Sequence, residues 1–172
     1  MEDVDLLGLT PHQRALLTYD GTVTRLLEAL LLEPVTVDVL DQRVTEVGDL
    51  GAVWLDLSST AAPVMRRRAS IAGRDSGRLH VVAESLLVPS RLPEAFIDAL
   101  MGSPKGLGEA LGDLRLETRR ELLWFGSART PSWAEPVVVE KLLLTRSYRI
   151  IVAGRPSILI VESFPLVDSS TA

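Results

Sequence analysis

Two ionisable side chains stand where an alternating strand should place apolar ones, and they are the best candidates for chemistry in the chain. In "VMRRRASIA", strand alternation puts Met65, Arg67, Ala69 and Ile71 on one face and Arg66, Arg68 and Ser70 on the other. Arg67 alone of the three arginines therefore faces an apolar surface, which is costly unless it meets an anion. In "SILIVESFP", Ile158, Ile160, Glu162 and Phe164 share a face, so Glu162 is a carboxylate in an apolar wall. One reading is a structural ion pair between Arg67 and Glu162. The other is a cavity whose cation holds a ligand carboxylate and whose carboxylate meets a ligand hydroxyl.

Further charges follow from the same pattern. Glu84 shares a face with Val82 and Leu86, in a segment that echoes the one holding Glu162 ("VAES" against "VES"). Arg120 shares a face with Leu116, Leu122 and Trp124 and is a candidate for a second anion contact. Arg146 and Arg149 fall on opposite faces of their strand, so at most one should face a cavity. "DGTVTRLL" and "KGLGEALG" each offer backbone N–H groups at a turn or helix start, where an anion is welcome. The second is no nucleotide loop, since the Gly-Lys-Ser/Thr ending is missing.

Other chemistries are excluded or unsupported. There is no cysteine, so disulfides and thiolate catalysis are ruled out. His12 and His80 have no carboxylate at ligand spacing, so no metal and no cofactor is expected. No G-x-S-x-G elbow is present. A net charge of −5 argues against nucleic acid as a partner. The acidic start lacks the features of a signal peptide, and the apolar stretch Leu26–Leu32 is interrupted by Glu28, so a cytoplasmic protein without membrane contact is expected.

The elements that must position these groups are legible in outline. Thr10 followed by Pro11 predicts a helix over 11–18, and Val23, Leu26, Leu27, Leu30 and Leu31 predict a second. Strands are predicted near 35–44, 64–72, 78–88, 115–125, 137–154 and 155–165, with a hairpin at "GRDSG" and another through Gly154. A third helix is predicted at "PEAFIDALM", and a Gly/Asp/Ser-rich connection over 48–63 anchored by Trp54, Leu55 and Leu57. The class is α+β: one antiparallel sheet of about six strands with helices covering one face, in a single domain over 1–172 whose residues 166–172 fray. The two hairpins echo each other, each reading strand, "AGR" turn, strand, "ES" and a nearby proline.

In order along the chain, these segments resemble the chorismate pyruvate-lyase family. "DGTVTRLLEALLLEPVTVDVLDQRV" resembles its first helix and strand, and "RRASIAGRDSGRLHVVAESLLVP" its arginine-led hairpin. "KGLGEAL" is similar to its P-L-G-x-x-L loop, with Gly106 in place of proline, and "RSYRIIVAGRPSILIVESFP" to its closing hairpin. The resemblance spans roughly residues 12–166 and is nearest to a short mycobacterial-type branch.

It implies a cofactor-independent lyase that releases pyruvate from chorismate and leaves 4-hydroxybenzoate in an internal pocket. The family's carboxylate-binding arginine maps onto Arg67 and its hydroxyl-binding glutamate onto Glu162. Its backbone contacts to the ring carboxylate map onto Val23 and Leu107. A second family arginine has no counterpart, its place being held by Glu84 or Ser85, which leaves close relatives of chorismate open as substrates. The effector domains of GntR-type regulators share the fold and give the competing expectation of a ligand-binding module, but the segment before Thr22 is too short for their DNA-binding helices. Oligomeric state is not legible.

Overall fold

The computed structural model describes residues 2–102 and 106–165. The expected fraying of 166–172 lies outside the described residues. The chain opens with α1 (Pro11–Thr18) and α2 (Val23–Leu31), then β1 (Val35–Glu46), α3 (Asp49–Trp54) and the hairpin β2 (Pro63–Gly73) and β3 (Leu79–Leu87). It continues with α4 (Glu94–Gly102), α5 (Leu107–Asp113), β4 (Thr118–Arg129), β5 (Leu142–Val152) and β6 (Arg155–Pro165). All six strands join one antiparallel sheet in the order β1-β2-β3-β6-β5-β4. No helix among the described residues is long and apolar enough to cross a membrane.

Local chemistry explains the element ends. Thr10 and Gln13 form a reciprocal capping box ahead of α1, with Pro11 at the first helical position. The β5–β6 hairpin closes through Ala153 and Gly154, both at positive φ, the conformation a two-residue type I′ loop demands. Its register then slips by one at Ser157, and β3 slips in the same way at His80 just after the other hairpin turn. The sequence echo thus has a structural counterpart. Each half of the sheet is a three-strand meander of the same order, and the two halves meet where β3 pairs with β6.

One sheet face carries two apolar clusters. Leu17, Leu27, Ile71, Val81 and Phe164 pack α1 and α2, while Leu87, Phe96, Leu100, Ile150 and Ile158 pack α4 and the start of α5. Four helices thus cover one face, as expected. The opposite face carries α3, which a composition rich in Gly and Asp hid from the sequence reading. Leu55 is fully buried there with Val64, Val88 and Leu159. The predicted start of the fifth strand at Val137 is also corrected, because Val138 hydrogen-bonds back to Ala134 and packs on Val82 and Leu143 instead of pairing.

Arg91 links α3 to the last hairpin, donating to the carbonyls of Leu55, Asp56 and Pro156. Replacing it with alanine leaves these partly buried acceptors without a donor. Arg91→Ala is expected to cost about 1.5–3 kcal/mol, read from the urea midpoint, with ligand binding unaltered because Arg91 lies on the face away from α4 and α5.

Candidate functional site

A cavity lies between the sheet face that carries Arg67 and the starts of α2 and α5. Its volume is about 70 Å³, room for on the order of five water molecules, so an occupant touches every wall. The floor is Arg67 and Ala69 from β2, Ala83 and Ser85 from β3, and Ile160 and Glu162 from β6, and Thr22, Val23, Gly106 and Leu107 form the roof. Gly108 allows the roof to close. A Cβ there would lie 2.5 Å from the Thr22 methyl, so α5 reaches α2 only without a side chain at this position. Five residues (Thr22, Thr24, Val37, Gly106 and Gly108) also line an outer groove that adjoins the cavity.

Glu162 is buried and fixed by two neighbours on β5. Arg146 Nε donates to its Oε2 at 2.7 Å, and the Tyr148 hydroxyl donates to its Oε1 at 3.0 Å. Arg146 Nη2 is also 2.7 Å from Oε2 but is not aligned as a hydrogen bond, so the contact is Coulombic. Nη1 donates to the Tyr19 carbonyl, tying the pair to the loop before α2, and the guanidinium lies over the rings of Tyr148 and Phe164. Arg146 is only 1% exposed and stands behind Glu162, outside the cavity lining. Burial, then the Glu162 charge, push the Tyr148 phenol well above its ordinary value, with Arg146 opposing, so it stays a hydrogen-bond donor.

Glu162's partner is Arg146. The sequence reading missed that role, because the alternation of β5 and β6 brings Arg146 opposite Glu162 only once the slip at Ser157 is included.

Arg67 is buried at the other side of the floor, on β2. Its Nη1 donates to the Gln42 side chain at 2.8 Å and to the Leu100 carbonyl in the last turn of α4, the end of a helix that favours a cation. Burial pushes its guanidinium below the ordinary value, the signature of a cation for which desolvation is the largest effect. A bulge in β1 decides which side chain stands beside it. The register slips at Leu40, so Gln42 pairs with Arg67. Without the slip Asp41 would stand there. Instead Asp41 points to the far face and pairs with Arg66 and Arg43.

The remaining candidates separate. Arg120 lines the cavity from β4, but a bulge at Leu123 turns Trp124 away, so Phe125 rather than Trp124 continues its face. Val23 and Leu107 are the first residues of α2 and α5, and neither helix start has a side-chain cap. The free N–H groups of α2 are thereby left for another acceptor. Glu84 is not part of the cavity. It faces the opposite side and pairs with Arg68 at 2.6 Å, while Ser85 takes the cavity position. The sequence echo misled there because the first hairpin has the longer turn, and "VAES" is out of step with "VES" by one residue in the paired sheet.

The family model described as chorismate pyruvate-lyase Rv2949c-like matches residues 17–170. The chain belongs to this family. It is 30% identical over 170 residues to a chorismate pyruvate-lyase of Mycobacterium tuberculosis, covering 95% of this chain and 84% of the relative. A chorismate pyruvate-lyase of Mycobacterium leprae is 31% identical over 156 residues, covering 88% and 72%. Among solved structures, the effector domain of PhnF from Mycobacterium smegmatis superposes with a TM-score of 0.63 at 11% identity, covering 84% of this chain and 88% of that one. A GntR-family regulator from Bacillus cereus gives 0.60 at 10%, covering 80% and 97%. At such identities these two share the fold alone. The chorismate lyase relationship therefore rests on sequence, and the cavity belongs to a lyase family that shares its sheet with regulators.

If Arg146 serves to neutralise Glu162, its loss strands a buried carboxylate. Arg146→Gln is expected to destabilise the protein by about 3–5 kcal/mol. The double variant Arg146→Gln/Glu162→Gln should recover most of that loss. Urea midpoints of the two variants and of Glu162→Gln complete the cycle, and purely additive costs would show that the two side chains are independent.

Proposed function

We propose that this protein is a carbon–oxygen lyase that eliminates pyruvate from chorismate and releases 4-hydroxybenzoate, using its own side chains and no cofactor. The carrying observation is the division of charge in one small cavity. The Arg67 guanidinium stands at one side, and the Glu162 carboxylate, anchored by Arg146, stands at the other. Family membership supplies the substrate class. Chorismate has a ring carboxylate at one end and a hydroxyl at the other, which suits a cavity lined by a cation and an acceptor.

In the reaction the bond between the ring and the enolpyruvyl oxygen breaks. A hydrogen leaves the hydroxyl-bearing carbon as a proton, the ring becomes aromatic, and the enolpyruvyl fragment gains the proton to become pyruvate. Aromatisation supplies the driving force, so the protein need only orient the substrate and exclude water. Arg67 takes the ring carboxylate, with the backbone N–H groups at Val23 and Leu107 beside it. Glu162 accepts from the hydroxyl through the lone pairs that Arg146 and Tyr148 leave vacant. Such an arrangement positions the ring between fixed groups. It also binds the product through the same contacts, so product release is expected to be slow.

Incubation with chorismate and chromatography of the products tests the reading. It predicts equal amounts of pyruvate and 4-hydroxybenzoate, undiminished by exhaustive chelation. Turnover of aminodeoxychorismate alone, or a different hydroxybenzoate, would reassign the substrate or outcome. Tight binding without turnover would favour an effector-type module. Among the arginine-run variants, Arg67→Ala should lose about 1.5–3 kcal/mol or more of transition-state binding. Arg66→Ala and Arg68→Ala should stay near wild type in kcat/KM. Equal losses in all three would refute the assignment of Arg67.

A further inference from the structure

We propose that Arg120 holds the second carboxylate of the substrate, the one on the enolpyruvyl side chain, and so tells substrate from product. The inference rests on the chorismate reading above and adds a residue that the reaction's end product does not need.

Arg120 is placed for a ligand. It lies on β4 at the edge of the sheet, half-buried, paired across to Ile150 on the cavity face. Its Nε is buried and has no hydrogen-bond partner, and none of the ion pairs among the described residues includes it. The neighbouring arginines on β4 and β5 are engaged elsewhere. Arg119 pairs with Glu121, Arg149 with Glu121 and Asp56, and Arg146 with Glu162. A guanidinium at a cavity wall with a desolvated donor and no acceptor of its own is a site prepared for an anion.

The geometry selects which anion. Arg67 on β2 and Arg120 on β4 are four strand spacings apart in the order β2-β3-β6-β5-β4. That is about 19 Å between backbones at about 4.8 Å per strand, and both side chains line the one cavity between them. Glu162 on β6 stands between them. With the ring carboxylate on Arg67 and the hydroxyl on Glu162, the enolpyruvyl ether leaves the ring from the carbon next to the hydroxyl. The ring orientation that turns this arm to the β5–β4 side carries its carboxylate to Arg120. After the elimination this carboxylate departs with pyruvate, and 4-hydroxybenzoate keeps only the groups that Arg67 and Glu162 hold. Arg120 thus contributes to substrate binding and nothing to product binding.

The test compares a ligand with one carboxylate and a ligand with two. Wild type, Arg120→Gln and Arg120→Lys are titrated calorimetrically with 4-hydroxybenzoate and with 3-(carboxymethoxy)benzoate, an unreactive aromatic acid with a second carboxylate on an ether arm. In Arg120→Gln the affinity for 4-hydroxybenzoate should stay within about twofold, while that for the dicarboxylate should fall by about tenfold or more. Arg120→Lys should recover part of it. With chorismate the variant should show a raised KM and a smaller change in kcat. Equal weakening of both ligands, or of neither, overturns the proposal, and a lowered Tm alongside equal weakening would identify a structural role. Failure of wild type to turn over chorismate, with the selective dicarboxylate loss intact, would refute the lyase reading and leave Arg120 as the second anion contact.

Discussion

The cavity depends on one buried interaction, the contact of Arg146 with Glu162 in the middle of the sheet. A carboxylate facing the apolar floor of a fold is expensive, and removing its partner is worse than never having the pair. Arg146 meets that cost from behind, on the neighbouring strand, so the front of Glu162 stays available to a ligand. The same guanidinium reaches the Tyr19 carbonyl and so ties the floor to the loop that leads into α2. A change at this pair is therefore felt both in the wall that would meet a hydroxyl and in the roof.

The two halves of the sheet use equivalent positions differently. Arg67 and Arg146 each lie four residues before the last regular pair ahead of a hairpin slip, at Ile71 and Ile150. Across the hairpin, Arg67 faces Ser85 and Arg146 faces Glu162. Ser85 offers Arg67 no carboxylate across the hairpin, whereas Glu162 pairs with Arg146. In the first half, the slip at Leu40 also puts neutral Gln42 rather than Asp41 beside Arg67. Three local choices, Ser85, Gln42 and Glu162, thus give the arginines of two similar hairpins different surroundings.

Alternation alone was enough to select Arg67 from three arginines and Glu162 from its strand, because period two is a property of the backbone and needs no partner strand. What it could not supply was anything that depends on how two strands register. The slips at Leu40, Leu123, His80 and Ser157 are invisible in the residues themselves, and they decide that Gln42 sits by Arg67, that Trp124 turns away, and that Arg146 meets Glu162. Glu84 was misplaced by the same blindness. Short α3 escaped because six residues with two glycines flanking and within its first turn carry too little periodicity to separate from a loop. The capping box at Thr10 and the Gly154 turn were legible because each is closed by residues adjacent in the chain.

We propose one direction for the ligand, with its carboxylate at Arg67 and its hydroxyl at Glu162. A crystal structure of the complex with 4-hydroxybenzoate tests it most directly. The predicted result places the ligand carboxylate on the Arg67 guanidinium under the starts of α2 and α5, with the phenol oxygen within hydrogen-bonding distance of Glu162. A ligand bound the other way round, with its carboxylate towards Arg120 and its hydroxyl at Arg67, or bound outside this cavity altogether, would contradict it.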